Sequence, residues 1–134
     1  MIIFKYKKEK GREGQYISRP IAEVVLQNET FKVDVGMYID SGADISMVTL
    51  SVGLALGFTQ QAEEIKELKG IAGEGIPYII KTISFGLPGY KFTARIGWAL
   101  IDEVPLLLGR LDIFRRFKII FDEADQFIAL VSKR

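Results

Sequence analysis

The residues best equipped for chemistry are Asp40, Ser41 and Gly42, set in the run Tyr38-Ile39-Asp40-Ser41-Gly42-Ala43-Asp44. An apolar segment delivers a carboxylate to a tight turn, and a short hydroxyl, two small residues and a second acid follow at once. The chain has no histidine and no cysteine. That excludes disulfides, thiol nucleophiles, serine nucleophiles with a histidine base, and most zinc sites. Acid–base work is left to carboxylates, lysine or tyrosine. Two carboxylates held a few ångströms apart cannot both ionise easily, so they share a proton and divide the roles of base and acid. The Asp-Ser-Gly turn occurs once, so a paired site built on Asp40 draws its second half from another copy of the chain.

The elements that must position this turn read as short strands punctuated by Gly, Pro and Asn. Ile2 to Tyr6 reads as a strand, Lys8 to Gly14 as a polar turn, and Ile17 to Leu26 as a second strand region. Phe31 to Val35 alternates apolar and polar residues with period two, and Gly36 is expected to bend or bulge that strand before Asp40. Val48 to Leu56 is the first plausible helix, capped by Thr49 or Ser51 and ended by Gly57. Glycines crowd the stretch from Gly70 to Gly75, which suits a movable hairpin tip. Strands follow over Ile79 to Phe85, Phe92 to Ile101, Lys118 to Phe121 and Phe127 to Val131. Asp112 is expected to cap a second short helix from Ile113 to Phe117. The whole is mostly β, a single domain over residues 1–134.

Composition narrows the function classes. Net charge is +1, so no global field favours nucleic acid or an acidic membrane. The basic cluster Lys5, Lys7, Lys8, Lys10 and Arg12 is diluted by Glu9 and Glu13 and reads as a solvated N-terminal hairpin. No apolar run approaches the roughly 20 residues of a membrane span. Met1 to Phe4 runs straight into charge rather than into a leader. A cytoplasmic, free-standing product is the expectation, with no nucleic acid and no membrane among its partners. The acids are too scattered for a calcium loop, and no phosphate-loop pattern occurs; no metal and no cofactor are expected.

Three features now stand in order: Ile39-Asp40-Ser41-Gly42-Ala43-Asp44, the hairpin Ala72-Gly73-Glu74-Gly75-Ile76, and Leu107-Leu108-Gly109-Arg110 with the short helix after it. In this order the chain resembles the retroviral-type, or retropepsin-like, aspartic proteases, over about Phe31 to Asp122. It looks closest to their free-standing cellular members. The resemblance implies a closed β-barrel with a glycine-rich flap and one or two short helices, working as a homodimer on a peptide or protein substrate. It makes Asp40 catalytic, with Ser41, Gly42 and Ala43 supporting the loop and Ser41 bonding across the two-fold axis. It assigns Asp44 and Arg110 to substrate backbone contact or dimer bracing, and Ala72, Gly73, Glu74, Gly75 and Ile76 to the flap. Glu74 departs from the apolar or glycine tips of viral flaps and would bias the charge preference of a subsite.

Blander readings stand beside this one. By average composition an Asp-Ser/Thr-Gly tripeptide arises in on the order of 5–10% of chains this long, so the weight falls on the three features in order. Asp44 and Arg110 also suit a turn acid and a surface arginine, and Tyr38 and Trp98 suit core or wall positions. A retropepsin-like fold can also serve as a non-catalytic peptide-binding or dimerisation module.

Overall fold

The architecture follows from where the alternating apolar residues must hide. In a computed structural model the structure describes residues 1–60, 65–69 and 75–133. Its strands are β1 (Ile2–Lys5), β2 (Lys7–Lys10), β3 (Tyr16–Arg19), β4 (Ile21–Asn28), β5 (Phe31–Ile39) and β6 (Ser46–Val48). Helix α1 (Leu50–Ala55) follows, then β7 (Lys66–Lys69), β8 (Gly75–Leu87), β9 (Tyr90–Ala99), β10 (Leu107–Leu108), β11 (Phe117–Asp122) and β12 (Phe127–Ser132).

Seven strands form one sheet in the order β4-β5-β10-β6-β9-β8-β7. A further pairing of β4 with β8, through Val25 and Gly86, Leu26 and Phe85, and Gln27 and Ser84, closes six of them into a barrel and leaves β7 outside. Closure satisfies backbone groups that an open edge would leave unpaired. The inward residues of β4, β8 and β9 meet in the centre, where Leu26, Phe85, Ile96 and Trp98 are fully buried. Each such side chain stabilises the fold by about 1.5–3 kcal/mol relative to exposure. Phe58 packs on Trp98 at 5.3 Å between ring centroids. The indole N–H of Trp98 donates to the Leu50 carbonyl at 3.2 Å. Helix α1 lies so close here that a methyl group on Gly53 would overlap the indole.

A second sheet, β1-β12-β11, ties both termini together within one chain. Ile128 and Leu130 turn inward from its central strand and join the same core. No helix among the described residues is long and apolar enough to cross a membrane.

Several local expectations change. Lys7 to Lys10 is a strand rather than a turn, paired with Tyr16–Arg19 in a separate hairpin whose tip is residues 11–15. The polar residues there hid the strand, because both of its faces are largely solvated. Gly36 makes no bulge: β5 runs unbroken, with Gly36 opposite Glu23. Its role is close approach, since a Cβ there would stand 3.0 Å from the Ile21 side chain. Helix α1 does start at Thr49, whose hydroxyl accepts the Val52 N–H at 3.2 Å, and Gly57 ends it at φ +78°. Ser51 instead donates its N–H to Asp102 at 2.9 Å, and hydrogen bonding to Ser51 holds the Asp102 carboxyl below its ordinary range.

The second helix is replaced by consecutive turns over residues 111–116. Asp112 is the reason. It sits at φ +63°, in the left-handed region where a helix cannot start. Its carboxylate turns to β9 instead. It accepts the Arg95 backbone N–H at 3.0 Å and the guanidinium at 2.8 and 3.0 Å. That clamp, chiefly the Arg95 side-chain hydrogen bond, lowers the Asp112 pKa from 3.8 to about 2.

A carboxyl depressed on folding contributes stability above its unfolded pKa and loses it as pH falls through the folded value. Asp112→Asn tolerates the same backbone angle but removes the charge. Wild type is therefore expected to be the more stable at pH 6, with the difference closing between about pH 4 and pH 2 in thermal unfolding. A difference independent of pH contradicts the clamp.

Candidate active site

Strands β5 and β6 run antiparallel but are not neighbours. Between them lies β10, parallel to β5 through Leu107–Tyr38 and Leu108–Ile39, and antiparallel to β6 through Leu107–Met47. The loop 40–45 must therefore span two strand spacings, roughly 9.5 Å, rather than close a hairpin. Backbone hydrogen bonds fix it. The Asp40 N–H donates to the Leu108 carbonyl at 3.1 Å, and the Ala43 N–H donates to the Asp40 carbonyl at 3.2 Å. Past β10, the Arg110 and Leu111 N–H groups donate to the Ala43 and Asp44 carbonyls, both at 2.9 Å.

The chain leaves no space at this crossing. A Cβ on Gly109 would meet the Ile45 backbone at 2.5 Å and the Ala43 carbonyl oxygen at 2.9 Å. The Gly109 N–H is buried and donates to the Ser46 hydroxyl at 2.9 Å. Ser46 is fully buried, so this bond satisfies both partners. Sequence reasoning passed over Ser46. The available signal was a lone hydroxyl inside an apolar strand, which demands a partner.

Within the loop, one carboxylate oxygen of Asp40 accepts the Gly42 N–H at 2.9 Å. The second oxygen has no hydrogen-bond partner among the described residues, and Asp40 is half-buried. Ser41 is exposed, and its hydroxyl likewise bonds to nothing among the described residues. Asp40 borders two cavities. One, of about 310 Å³, is walled by apolar residues including Ile45, Met47 and Val104, and reaches Leu68 and Ile76. Those two residues face each other across the β7–β8 hairpin, so the base of the expected flap lines the Asp40 cavity. Gly75 and Ile76 begin β8 rather than forming a tip; Ala72, Gly73 and Glu74 lie outside the described residues.

The other cavity, of about 380 Å³, joins Asp40 to Arg19, Pro20 and Tyr38. Tyr38 is part-buried and donates its hydroxyl to the Glu9 carboxylate at 2.7 Å. That bond, with partial burial, raises the Tyr38 pKa. Arg19 flanks Glu9 at 3.6 Å. The β2–β3 hairpin is thus fastened to the strand that carries Asp40, a contact that sequence reading did not suggest. Trp98 is core, as expected, and Tyr38 is a wall.

Asp44 and Arg110 line a common cavity of about 550 Å³. The backbone ties each to the other's neighbour, Arg110 N–H to the Ala43 carbonyl and Leu111 N–H to the Asp44 carbonyl, and among the described residues their side chains form no ion pair with each other. No three acidic side chains gather in metal-binding geometry among the described residues.

Comparison with solved structures identifies the fold that carries this loop. A retropepsin-like aspartic protease from Rickettsia conorii superposes with a TM-score of 0.59 over 95% of both chains, at 20% identity. The EIAV protease, complexed with the inhibitor HBY-793, superposes with a TM-score of 0.56 at 24% identity, over 72% of this chain and 86% of its own. The fold is retropepsin-like. No family model and no curated protein matches the chain. At such low identity the shared retropepsin-like feature is the barrel.

The crossing of backbones at Gly109 yields a direct test. Gly109→Ala is expected to destabilise the protein by about 1–3 kcal/mol, although Ala limits the unfolded chain more than Gly does. Denaturant unfolding measures it, and a neutral or stabilising result contradicts the close packing.

Proposed function

We propose that the chain is an aspartic endopeptidase that works as a homodimer, each single-domain subunit (residues 1–134) supplying one Asp40. The observation that carries this reading is the Asp40 carboxylate itself. It is anchored through one oxygen, has no partner at the other among the described residues, belongs to the one Asp-Ser-Gly turn of its chain, and lines two cavities in a retropepsin-like barrel.

Chemistry follows from the pair. Two Asp40 side chains brought together share one proton, and the apparent pKa values belong to the pair. The ionised carboxylate takes a proton from water as the water oxygen bonds to the scissile carbonyl carbon. The protonated one donates to the carbonyl oxygen. Proton transfer to the amide nitrogen then lets the C–N bond break, and the carboxyls return to their shared-proton state. The Ser41 hydroxyl, without a partner among the described residues, bonds to its counterpart across the axis and holds the loops together. An extended peptide lies between the Asp40 loop and the β7–β8 hairpin, which can bond it as an added strand. Asp44 accepts backbone N–H groups from that peptide or braces the dimer with Arg110.

Asp40→Asn is expected to reduce peptide cleavage by at least about 10³-fold, leaving the unfolding midpoint and the sedimentation of the dimer unchanged. Comparable turnover by the variant refutes the assignment; a wild-type protein that binds peptides and cleaves none supports a binding module instead. Cleavage is expected to peak at acidic to mildly acidic pH and to fall as the shared proton is lost. A pH–rate profile with its optimum well above neutrality contradicts a shared-proton pair.

A further inference from the structure

The β2–β3 hairpin stands apart from the core yet reaches the Asp40 loop. None of residues 7–19 is buried or joins the hydrophobic core. As strands, β2 and β3 pair only with each other among the described residues. Polar side chains hold the hairpin to the barrel. Lys7 and Glu9 share one face of β2 under period-two alternation. Lys7 pairs with Glu23 of β4, and Glu9 accepts the Tyr38 hydroxyl of β5 at 2.7 Å.

The two ends of the hairpin are pinned. Before it, Tyr6 donates its N–H to the Gln126 carbonyl at 2.9 Å and its hydroxyl to Glu123 at 3.2 Å. After it, the Pro20 carbonyl accepts the Ile39 N–H at 2.9 Å. Ile21 stands opposite Tyr38 in the β4–β5 ladder, so the hairpin leaves the barrel at the level of the Asp40 loop. A body without core contacts, held between fixed ends by a few polar bonds, opens at low cost.

Its position bears directly on Asp40. Tyr38 lies two residues before Asp40, roughly 6.6 Å along an extended chain. Ile39 between them is buried, whereas Tyr38 and Asp40 are both half-buried. Both line the cavity of about 380 Å³, and Arg19 of the hairpin lines it with them. Movement of the hairpin therefore changes the width of a space that Asp40 itself borders.

We propose that the β2–β3 hairpin is a hinged side wall of the Asp40 cavity, separate from the β7–β8 hairpin, and that Glu9 is the positioning residue that latches it through Tyr38. The wall rests on the protease reading for its occupant, an extended peptide beside Asp40. Hydrogen exchange on the full-length Asp40→Asn protein tests it without turnover. The probe is a short extended peptide with phenylalanine on each side of its central bond, and its affinity is measured by fluorescence anisotropy.

Bound peptide is expected to slow exchange at the amides of residues 7–19 by at least about threefold. Glu9→Ala and Tyr38→Phe, each in the same background, are expected to speed exchange of the unliganded hairpin and to weaken the peptide, both by about fivefold. Glu9→Gln keeps an acceptor oxygen and is expected to behave as the parent. The Glu9→Ala/Tyr38→Phe double variant is expected to go no further than either single change, because both remove one bond. Binding that leaves the hairpin amides unchanged overturns the wall, as does no binding at all. Parent-like exchange in Glu9→Ala, or failure of Glu9→Gln to restore it, overturns the latch. Loss of the dimer in Glu9→Ala assigns the hairpin to the subunit interface and overturns both. Cleavage by the wild-type protein is read separately: a protein whose hairpin responds to peptides but which cleaves none keeps the wall and loses the protease reading alone.

Discussion

Everything at the site depends on the insertion of two residues, Leu107 and Leu108, between strands that would otherwise be neighbours. Were β5 and β6 paired directly, the chain between them would close as a tight hairpin, with its carbonyls and amides satisfied locally. The inserted strand pushes them apart and takes over that bonding. The loop carrying Asp40 becomes a wide arch whose amides and carbonyls lean on the inserted segment and on the residues after it. Gly109 and Ser46 make the crossing possible, one by lacking a side chain and the other by offering a buried acceptor. An acid on such an arch is held on a packed barrel rather than on a mobile loop, which acid–base chemistry requires.

The same arch leaves the site unfinished. A paired-carboxylate reaction needs two acids, and the fold delivers one per chain. The second oxygen of Asp40 and the Ser41 hydroxyl, which have no partner among the described residues, are the groups that the proposed counterpart would meet. The terminal strands pair with each other inside one chain, and the barrel closes separately, through β4 and β8 of the same chain. In the proposed dimer, chemistry and assembly are then one equilibrium, and dilution weakens both together.

Much of this was legible in the residues. The alternation in Phe31 to Val35 and the long strands around Trp98 pointed to a β fold, and the order of Asp-Ser-Gly, glycine hairpin and Leu-Leu-Gly-Arg carried the resemblance that implied a closed barrel. What escaped was tertiary. Lys7 to Lys10 has no apolar face to announce a strand, and its pairing is visible only once Glu9 meets Tyr38. Asp112 followed a helix-capping pattern that its backbone angle and its bond to Arg95 overrode. Gly36 suggested a bulge, although the same residue type also serves close packing of neighbouring strands. Local rules could not separate these alternatives, because the deciding partners lie far along the chain.

Subunit mixing puts the two-chain site to the most direct trial. Wild-type protein is combined with Asp40→Asn protein in varied ratio at fixed total concentration, and cleavage is measured after the subunits have exchanged. If each active centre needs one Asp40 from each chain, activity follows the square of the wild-type fraction, about one quarter at an equal mixture of randomly paired subunits. Activity that declines in simple proportion to the wild-type fraction means that one chain suffices, and it contradicts the account.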